Sequence, residues 1–512
     1  MDKLDVILYM FQNHDIDISG TYVDLTPREE VTEIDFDFKT EPFKHQEECF
    51  LYGMNHDRWF LGDEQGLGKS KQAIDIAVAL KQERDYKHCL IICGVNGLKW
   101  NWVEEIETHS NETSYILGQK IKKRTGEVYI GSNKDKLADV REISSNPAYF
   151  IITNVESLRD EDITQGLSEK IDSGAISMIV IDEAHKMKST RSQQGKGMLK
   201  LQSDYRLIMT GTPLMNTPLD LYFILRWLGI EKHSKYTFEH YYAEYGGYGG
   251  YEVIGYKHLD ELQEQLDSIM LRRKKEDVLD LPDKVFIDEY VDMLPKQSII
   301  YKEVKADIKS NINAIEVSPN PLAEMIRLRQ ATGYTGILST EIQCSAKLDR
   351  MEELVNEALT NKRKVIIFSN WTSITNEVMD RLEKTHFGEV VSITGETPDA
   401  SRQSNVNRFQ EDEKCKILVG TTGAMGTGIT ATAGSVVIFL DHPWSRALYD
   451  QAVDRTHRIG QNNKVTIYNI MCKNTIDEKI WKLVKKKGQM SDAIVDNEYS
   501  KIDKETIEYL LS

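Results

Sequence analysis

The stretch WFLGDEQGLGKSKQAIDI (residues 59–76) sets two glycines, a lysine and a serine between an apolar burst and a helical pattern. Gly66 and Gly68 let backbone N–H groups come close to phosphate oxygens, and the dipole of the following helix favours the anion. In that context Lys69 reaches the terminal phosphates of a nucleotide and Ser70 takes a magnesium ion. Asp63, Glu64, Gln65, Gly66, Leu67, Gly68, Lys69 and Ser70 are therefore the expected ATP-binding loop. The strict phosphate-loop pattern asks for glycine six residues before the lysine; here that place is Asp63.

Further along, MIVIDEAHKMKS (178–189) ends an apolar run in two acids. A carboxylate at such a strand tip holds hydrated magnesium, which is the part expected of Asp182, while its neighbour Glu183 orients the attacking water and accepts its proton. His185 is the expected link from this site to the rest of its lobe. In LIMTGTP (207–213) Thr210, Gly211 and Thr212 stand at another strand tip, where small hydroxyl residues can sense the nucleotide state. Gln46, in PFKHQEECF (42–50), can offer an adenine edge a donor and an acceptor together. Near the other end, QAVDRTHRIGQ (451–461) carries Arg455 and Arg458 three residues apart. An inserted arginine stabilises charge on a transferring phosphoryl group, an effect of roughly 10³–10⁵ in rate. With Lys69 and Asp182 in a first lobe and the arginines in a second, the complete site is expected to form when the lobes close.

Those residues need two sheets to hold them. Apolar, β-rich bursts recur in two series, RWFLG, CLIIC, AYFIIT, SMIVID and RLIMTGT, then KVIIFS, EVVSIT, CKILVGT, SVVIFLD and KVTIYNIM. They are continuous rather than alternating, as in parallel strands covered on both faces, and helical stretches such as KQAIDIAVALKQ separate many of them. The expected fold class is α/β, two parallel-sheet lobes with a helical insertion between them. The expected boundaries are an N-terminal extension at 1–40, an ATP-binding lobe at 41–230, a helical insertion and linker at 231–340, a second lobe at 341–488 and a helical tail at 489–512. Within the insertion, LDELQEQLDSIMLRRKKEDVL and PKQSIIYKEVKADIKSNINAI each read as a helix, the second opening on proline. YGGYGGYEVIGY (245–256) reads as a loop or hairpin, EIDFDFKT as an edge strand and YSKIDKETIEYLLS as a short helix.

The chain of 512 residues is 40% hydrophobic and 28% charged, with a formal net charge of −17. Its size allows two or three domains. No apolar run approaches the roughly 20 residues that span a bilayer, and no signal-peptide pattern opens it. No membrane partner is therefore expected. Six cysteines without a CxxC pair read as reduced core thiols in a cytosol-like compartment. The negative balance alone speaks against a nucleic-acid partner. However, basic clusters, KKR (122–124), RRKK (272–275), KRK (362–364) and KLVKKK (482–487), lie inside the chain. Each reads first as a solvated face, and placement along one groove would make a phosphate track.

Taken together these motifs resemble the Swi/Snf-like ATPases of helicase superfamily two over roughly residues 40–485. The family's DEMGLGKT stands here as DEQGLGKS, its DEGH or DEAH as DEAH, its LTGTP as MTGTP, its LRRxKxDVxxxLPxK as LRRKKEDVLDLPDK (271–284), one residue shorter, and its QAxDRxHRIGQ is matched by Gln451 to Gln461. KVIIFSNWTSITNEV and GTTGAMGTGITATAGSVVIF resemble its fourth and fifth motifs. The resemblance implies two RecA-like lobes, ATP with magnesium as cofactors, and translocation on double-stranded or branched DNA without full strand separation, as in branch migration, fork remodelling or protein displacement. Strand-separating action on DNA or RNA, or work as the motor of a larger repair or restriction complex, are the alternatives. It also implies DNA contacts near Asn154, Trp371, Thr421 and Thr422. One departure is CGVNGLKWNW for the usual CPxSLxxNW, with Gly94 in the place of proline. No appended module follows the last motif, so a minimal bacterial or viral form is expected, acting in the cytoplasm, or in the nucleus if eukaryotic.

Overall fold

The computed structural model describes residues 31–94, 98–122, 128–184, 192–211, 218–246, 252–310, 322–385, 388–425, 429–444 and 446–486. His185, Thr212, the tip of the Tyr/Gly-rich stretch and the C-terminal YSKIDKETIEYLLS lie outside them. The chain divides into two compact units, Met1–Leu279 and Asp280–Ser512.

In the first unit the strands run in chain order β1 (Arg58–Leu61), β2 (Cys89–Cys93), β3 (Ser114–Ile116), β4 (Gln119–Ile121), β5 (Val128–Ile130), β6 (Phe150–Asn154), β7 (Met178–Asp182), β8 (Tyr205–Met209), β9 (Ala243–Gly246), β10 (Glu252–Tyr256) and β11 (Met270–Leu271). Seven of them form one sheet in the order β11-β1-β8-β7-β2-β6-β3, parallel throughout. Both faces are covered. Leu90 and Ile92 of β2 join one core cluster, whereas Cys89, Ile91 and Cys93 join the other. A strand buried on both sides needs apolar residues at every position, which is why CLIIC reads as a continuous run. β9 and β10 pair antiparallel, so the Tyr/Gly-rich stretch belongs to a hairpin.

Two expectations fail in this unit. EIDFDFKT is irregular, not a strand. Its alternation does place Phe36 and Phe38 together, but they pack on Phe50 of the helix Lys44–Asn55, each with ring centroids 5.2 Å from it, and not on a sheet edge. Lys39 then fastens the segment by donating to Glu107 O (2.6 Å) and Ser110 O (2.7 Å). LDELQEQLDSIMLRRKKEDVL is not one helix. A helix spans Leu259–Asp267, and the chain then straightens so that Met270 and Leu271 pair with Phe60 and Leu61. Burial of Ile269 and Met270 in the core and an open edge at β1 outweigh the helical period.

The second unit holds β12 (Lys284–Val291), β13 (Lys364–Ser369), β14 (Glu389–Ile393), β15 (Cys415–Thr421), β16 (Gly434–Phe439) and β17 (Val465–Cys472). They form a parallel sheet in the order β12-β17-β16-β13-β15-β14. The helix from PKQSIIYKEVKADIKS spans Pro295–Ser310, and the remainder of that stretch lies outside the described residues. All six cysteines are free, and five are buried. No helix among the described residues is long and apolar enough to cross a membrane.

The second unit is tied across its layers by a buried ion pair. Lys347, from the helix Ala346–Thr360, donates to Asp477 Oδ2 (2.5 Å) and to Leu440 O (3.0 Å), with its side chain 1% exposed. Asp477 also accepts from Thr332 Oγ1 (2.8 Å) and Cys472 N (3.1 Å). Lys347→Met leaves that carboxylate buried without its counter-charge and should cost about 3–5 kcal/mol in denaturant unfolding of this unit. Addition of Asp477→Asn should return part of the loss. A cost below about 1 kcal/mol for Lys347→Met would remove this pair from the account of stability.

Candidate ATP site

The register of the first sheet sets its carboxyl edge. Leu61 stands level with Met209, Met209 with Asp182, Asp182 with Cys93, and Cys93 with Asn154. The loops that leave these positions open at one edge, where ligands of open α/β sheets bind.

Residues 62–68 join β1 to the helix Lys69–Arg84. Gly66 (φ 86°) and Gly68 (φ 78°) are left-handed, a conformation that glycine adopts without strain and that turns the backbone N–H groups into the loop. Lys69 Nζ donates to Asp63 O (2.8 Å) and Glu64 O (3.1 Å), so the ammonium lies across its own loop. Ser70 is half-buried in the first turn of the helix. Leu67 is fully buried, and its carbonyl accepts from Gln72 Nε2 (3.1 Å) and Gln46 Nε2 (3.3 Å). The amide oxygen of Gln46 accepts from Phe43 N (3.1 Å), so both ends of the amide expected at an adenine edge are engaged within the protein.

Asp182 and Glu183 leave β7 together. Asp182 Oδ2 accepts from the indole of Trp102 (3.0 Å), and Glu183 holds a left-handed backbone at φ 53°. A non-glycine residue in that region is strained and persists where its surroundings over-determine it. Gly94, the residue in the place of the family's proline, is part of those surroundings. Its N–H donates to Asp182 O (2.8 Å), and a Cβ there would lie 2.6 Å from Glu183 O. Burial first, and then the charge of Glu183, raise the Asp182 carboxyl to about 7. Two adjacent acids under that penalty suit a divalent cation, which removes it. Ser70 and Asp182 are the residues that could hold magnesium, and the phosphates and water would complete its shell. Gly211 closes the site from β8, because a Cβ there would meet Gln65 Cγ at 2.7 Å and Lys69 Nζ at 3.4 Å. Thr210 is buried, and its N–H donates to Leu61 O (3.2 Å).

In the second unit the helix Arg446–Val453, which contains the buried Gln451, ends before the arginines. Arg455 and Arg458 are half-buried in the turns that follow. Arg455 O accepts from Ala431 N (2.9 Å), and Arg458 Nη1 donates to Thr430 Oγ1 (2.8 Å). Gln461 fixes those turns by donating to Thr432 O, Gly434 O and Thr456 O. Of the residues expected near DNA, Asn154 is buried and bonded to Glu156 and Ser157, Thr421 and Thr422 are buried, and Thr422 Oγ1 donates to Ser369 O (3.3 Å). Trp371 is partly exposed, with the Arg329 guanidinium 4.9 Å from its ring centroid.

Three participants escaped sequence reasoning. Arg273 belongs to RRKK, which reads as a solvated face, yet its guanidinium forms a bidentate pair with Asp63 and Lys275 is buried. The usable signal was the acid in the place of the loop's first glycine, since a carboxylate there needs a partner. Trp102 sits in KWNW, where nothing marks its indole for Asp182. Arg329 lies between Trp371 and Trp444, 5.0 Å from the second ring, and 3.9 Å from Asp441 Oδ1. Its contacts with Asp441 and Trp444 span over 100 residues of chain, and no local pattern reports them.

The raised Asp182 has a measurable consequence. A carboxyl that titrates higher in the folded chain contributes stability below its ordinary value of 3.8, and that contribution is lost as pH climbs towards about 7. Without nucleotide or metal, Asp182→Asn should therefore be the more stable protein at pH 8, by roughly 1–3 kcal/mol, and the two should converge near pH 4. Thermal melts across that range test it, and a variant less stable than the parent at pH 8 would refute the burial argument.

The chain matches the family model described as SNF2-related domain over residues 45–337 and the one described as helicase conserved C-terminal domain over residues 346–460. Among curated proteins it is similar to an "Uncharacterized ATP-dependent helicase" of Mycoplasma pneumoniae, 29% identical over 453 residues, which are 86% of this chain and 41% of that protein. It is 26% identical over 499 residues to the "DNA annealing helicase and endonuclease ZRANB3" of Mus musculus, covering 93% of this chain and 43% of that one. With the "Putative ATP-dependent helicase/translocase YwqA" of Bacillus subtilis it shares 25% identity over 457 residues, 86% of this chain and 46% of that one. The chain thus spans less than half the length of these relatives. A solved structure, the Sulfolobus solfataricus SWI2/SNF2 ATPase core in complex with dsDNA, is 24% identical, with a TM-score of 0.40 and coverage of 94% of this chain and 99% of that one. The first family model alone takes in more than half of the chain, and the chain belongs to the family that this model describes, the SNF2-related domain.

Proposed function

We propose that this protein is a DNA-stimulated ATPase that translocates on double-stranded DNA without full strand separation. The observation that carries the reading is the gathering of Lys69, Asp182, Glu183 and Thr210–Gly211 at one carboxyl edge of a parallel sheet, in a chain of the SNF2-related family. Residues 63–70 cradle the phosphates of ATP. Ser70 and Asp182 hold magnesium, which supplies charge neutralisation at the phosphates when bound. Glu183 receives the proton of the attacking water. Arg455 and Arg458 of the second unit stabilise charge on the γ-phosphoryl oxygens, so hydrolysis depends on both units. His185, Thr210, Gly211, Thr212 and Gln451 link nucleotide state to the rest of the chain. Double-stranded or branched DNA is the partner, and Trp371 is the most accessible of the four residues proposed near it. The name of one relative, a DNA annealing helicase, supports DNA as the track, and that of another, a putative helicase/translocase, supports movement along a track.

The deciding experiment compares ATP turnover with duplex, single-stranded and branched DNA and with RNA. Duplex or branched DNA should stimulate most; stimulation by RNA or single strands alone would overturn the proposed track. Lys69→Ala should abolish turnover, and Arg458→Ala should keep nucleotide binding while slowing hydrolysis by roughly 10³. Normal turnover of Arg458→Ala would remove the arginines from the mechanism. Duplex affinity should fall steeply with salt, because each phosphate contact releases counterions, and a flat response would argue against a backbone groove.

A further inference from the structure

Asp63 occupies the place where a phosphate loop ordinarily carries glycine, and its side chain is 0% exposed. An ionised carboxylate in that position needs a compensating charge with good geometry. Arg273 supplies it from 210 residues away, with Nη2 at 2.6 Å from Oδ2 and Nε at 3.1 Å from Oδ1. The same guanidinium donates to His45 O, and Nη1 stands 3.6 Å from Glu48 Oε2, so the helix bearing Gln46 shares the clamp. The backbone repeats the connection. Glu64 N donates to Arg273 O (3.1 Å), and Lys275 N donates to Glu64 Oε2 (2.8 Å). Asp63 and Glu64 are also the residues whose carbonyls receive Lys69 Nζ.

We propose that Arg273 is a positioning residue for nucleotide binding: by pairing with buried Asp63 it sets the entry of the phosphate loop, and through that entry the place from which Lys69 reaches the phosphates. Simple attachment of β11 to the sheet would not require this pair. The strand itself is bonded through Phe60 N to Ile269 O (2.8 Å) and Gly62 N to Leu271 O (2.8 Å), whereas Arg273 lies past its end and grips the loop. The four-residue helix Lys275–Val278 follows directly, and the first unit ends at Leu279. The segment that steadies the loop is thus the one by which the chain leaves this unit.

The inference rests on the reading of residues 63–70 as the cradle for ATP, and its test separates the two. Binding of a fluorescent ATP analogue with magnesium is titrated on the full chain without DNA, with folding checked by circular dichroism. Arg273→Ala should raise Kd by about tenfold or more, because it strands a buried charge at the loop. Asp63→Asn together with Arg273→Ala should recover affinity to within about threefold of the parent, since the pair acts as one unit. At saturating ATP, kcat of Arg273→Ala should fall less than KM rises. Should Arg273→Ala not fold, Arg273→Lys carries the comparison; it keeps the charge, loses the bidentate fork and should weaken binding several-fold. If Lys69→Ala weakens binding while the folded Arg273 variant binds like the parent, or if Asp63→Asn brings no rescue, the positioning role is wrong. If Lys69→Ala itself binds normally, the cradle reading fails first.

Discussion

The constraint on which both units depend is that a parallel sheet ends all its strands at one edge. Parallel strands run in the same direction, so their loops collect on one side, and the registers of the first unit bring Leu61, Met209, Asp182 and Cys93 to a common level. The glycine loop, the acid pair and the Thr210–Gly211 turn are neighbours because of that level, although more than 140 residues of chain separate the first from the last. The cost is that such strands must be covered on both faces. The core divides accordingly into one cluster per face of each sheet.

A second regularity concerns buried charge. At the carboxyl edge of each sheet an arginine from distant chain meets an acid with almost no exposure, Arg273 with Asp63 in the first unit and Arg329 with Asp441 in the second. Asp441 accepts from Ser369 Oγ (2.6 Å) and Asn370 N (2.8 Å), the residues just before Trp371. Burial raises the Asp441 carboxyl and lowers the Arg329 guanidinium, so each charge is held against its own desolvation. Buried pairs of this kind contribute little net stability, and breaking them costs much more than replacing them. Their use here is geometric: each fixes a loop that hydrophobic packing alone would leave free to shift, because packing is nondirectional.

What could be read from the sequence follows from the same physics. Ten apolar bursts became ten strands of the two sheets because a continuous run of such residues has few alternatives once helices flank it. The glycine loop was legible since its residues act locally, through φ and backbone N–H groups. Alternation misled in EIDFDFKT, where Phe36 and Phe38 found an aromatic neighbour instead of a ladder. Helical period misled in the stretch before Arg272, where two residues completing a sheet edge outweighed it. Arg273, Trp102 and Arg329 were illegible for one reason: each acts on a residue 80 to 210 positions away, and no pattern of period 2 or 3.6 encodes such a contact.

Gly94 shows how a departure from the family's pattern can be locally compelled. Proline at that position would have no N–H to give Asp182 O, and its ring carbons would enter the space where even a Cβ meets Glu183 O at 2.6 Å. Glu183 is the left-handed residue whose carboxylate is proposed to receive the water's proton, and Gly94 stands beside it at the tip of the neighbouring strand. Glycine at 94 and the left-handed backbone at 183 thus go together, since a residue without Cβ leaves room for Glu183 O. The side chain that orients the other acid, Trp102, comes from the helix that begins four residues after Gly94. Gly94 and Trp102 thus both bond to Asp182, one through its backbone N–H and the other through its indole.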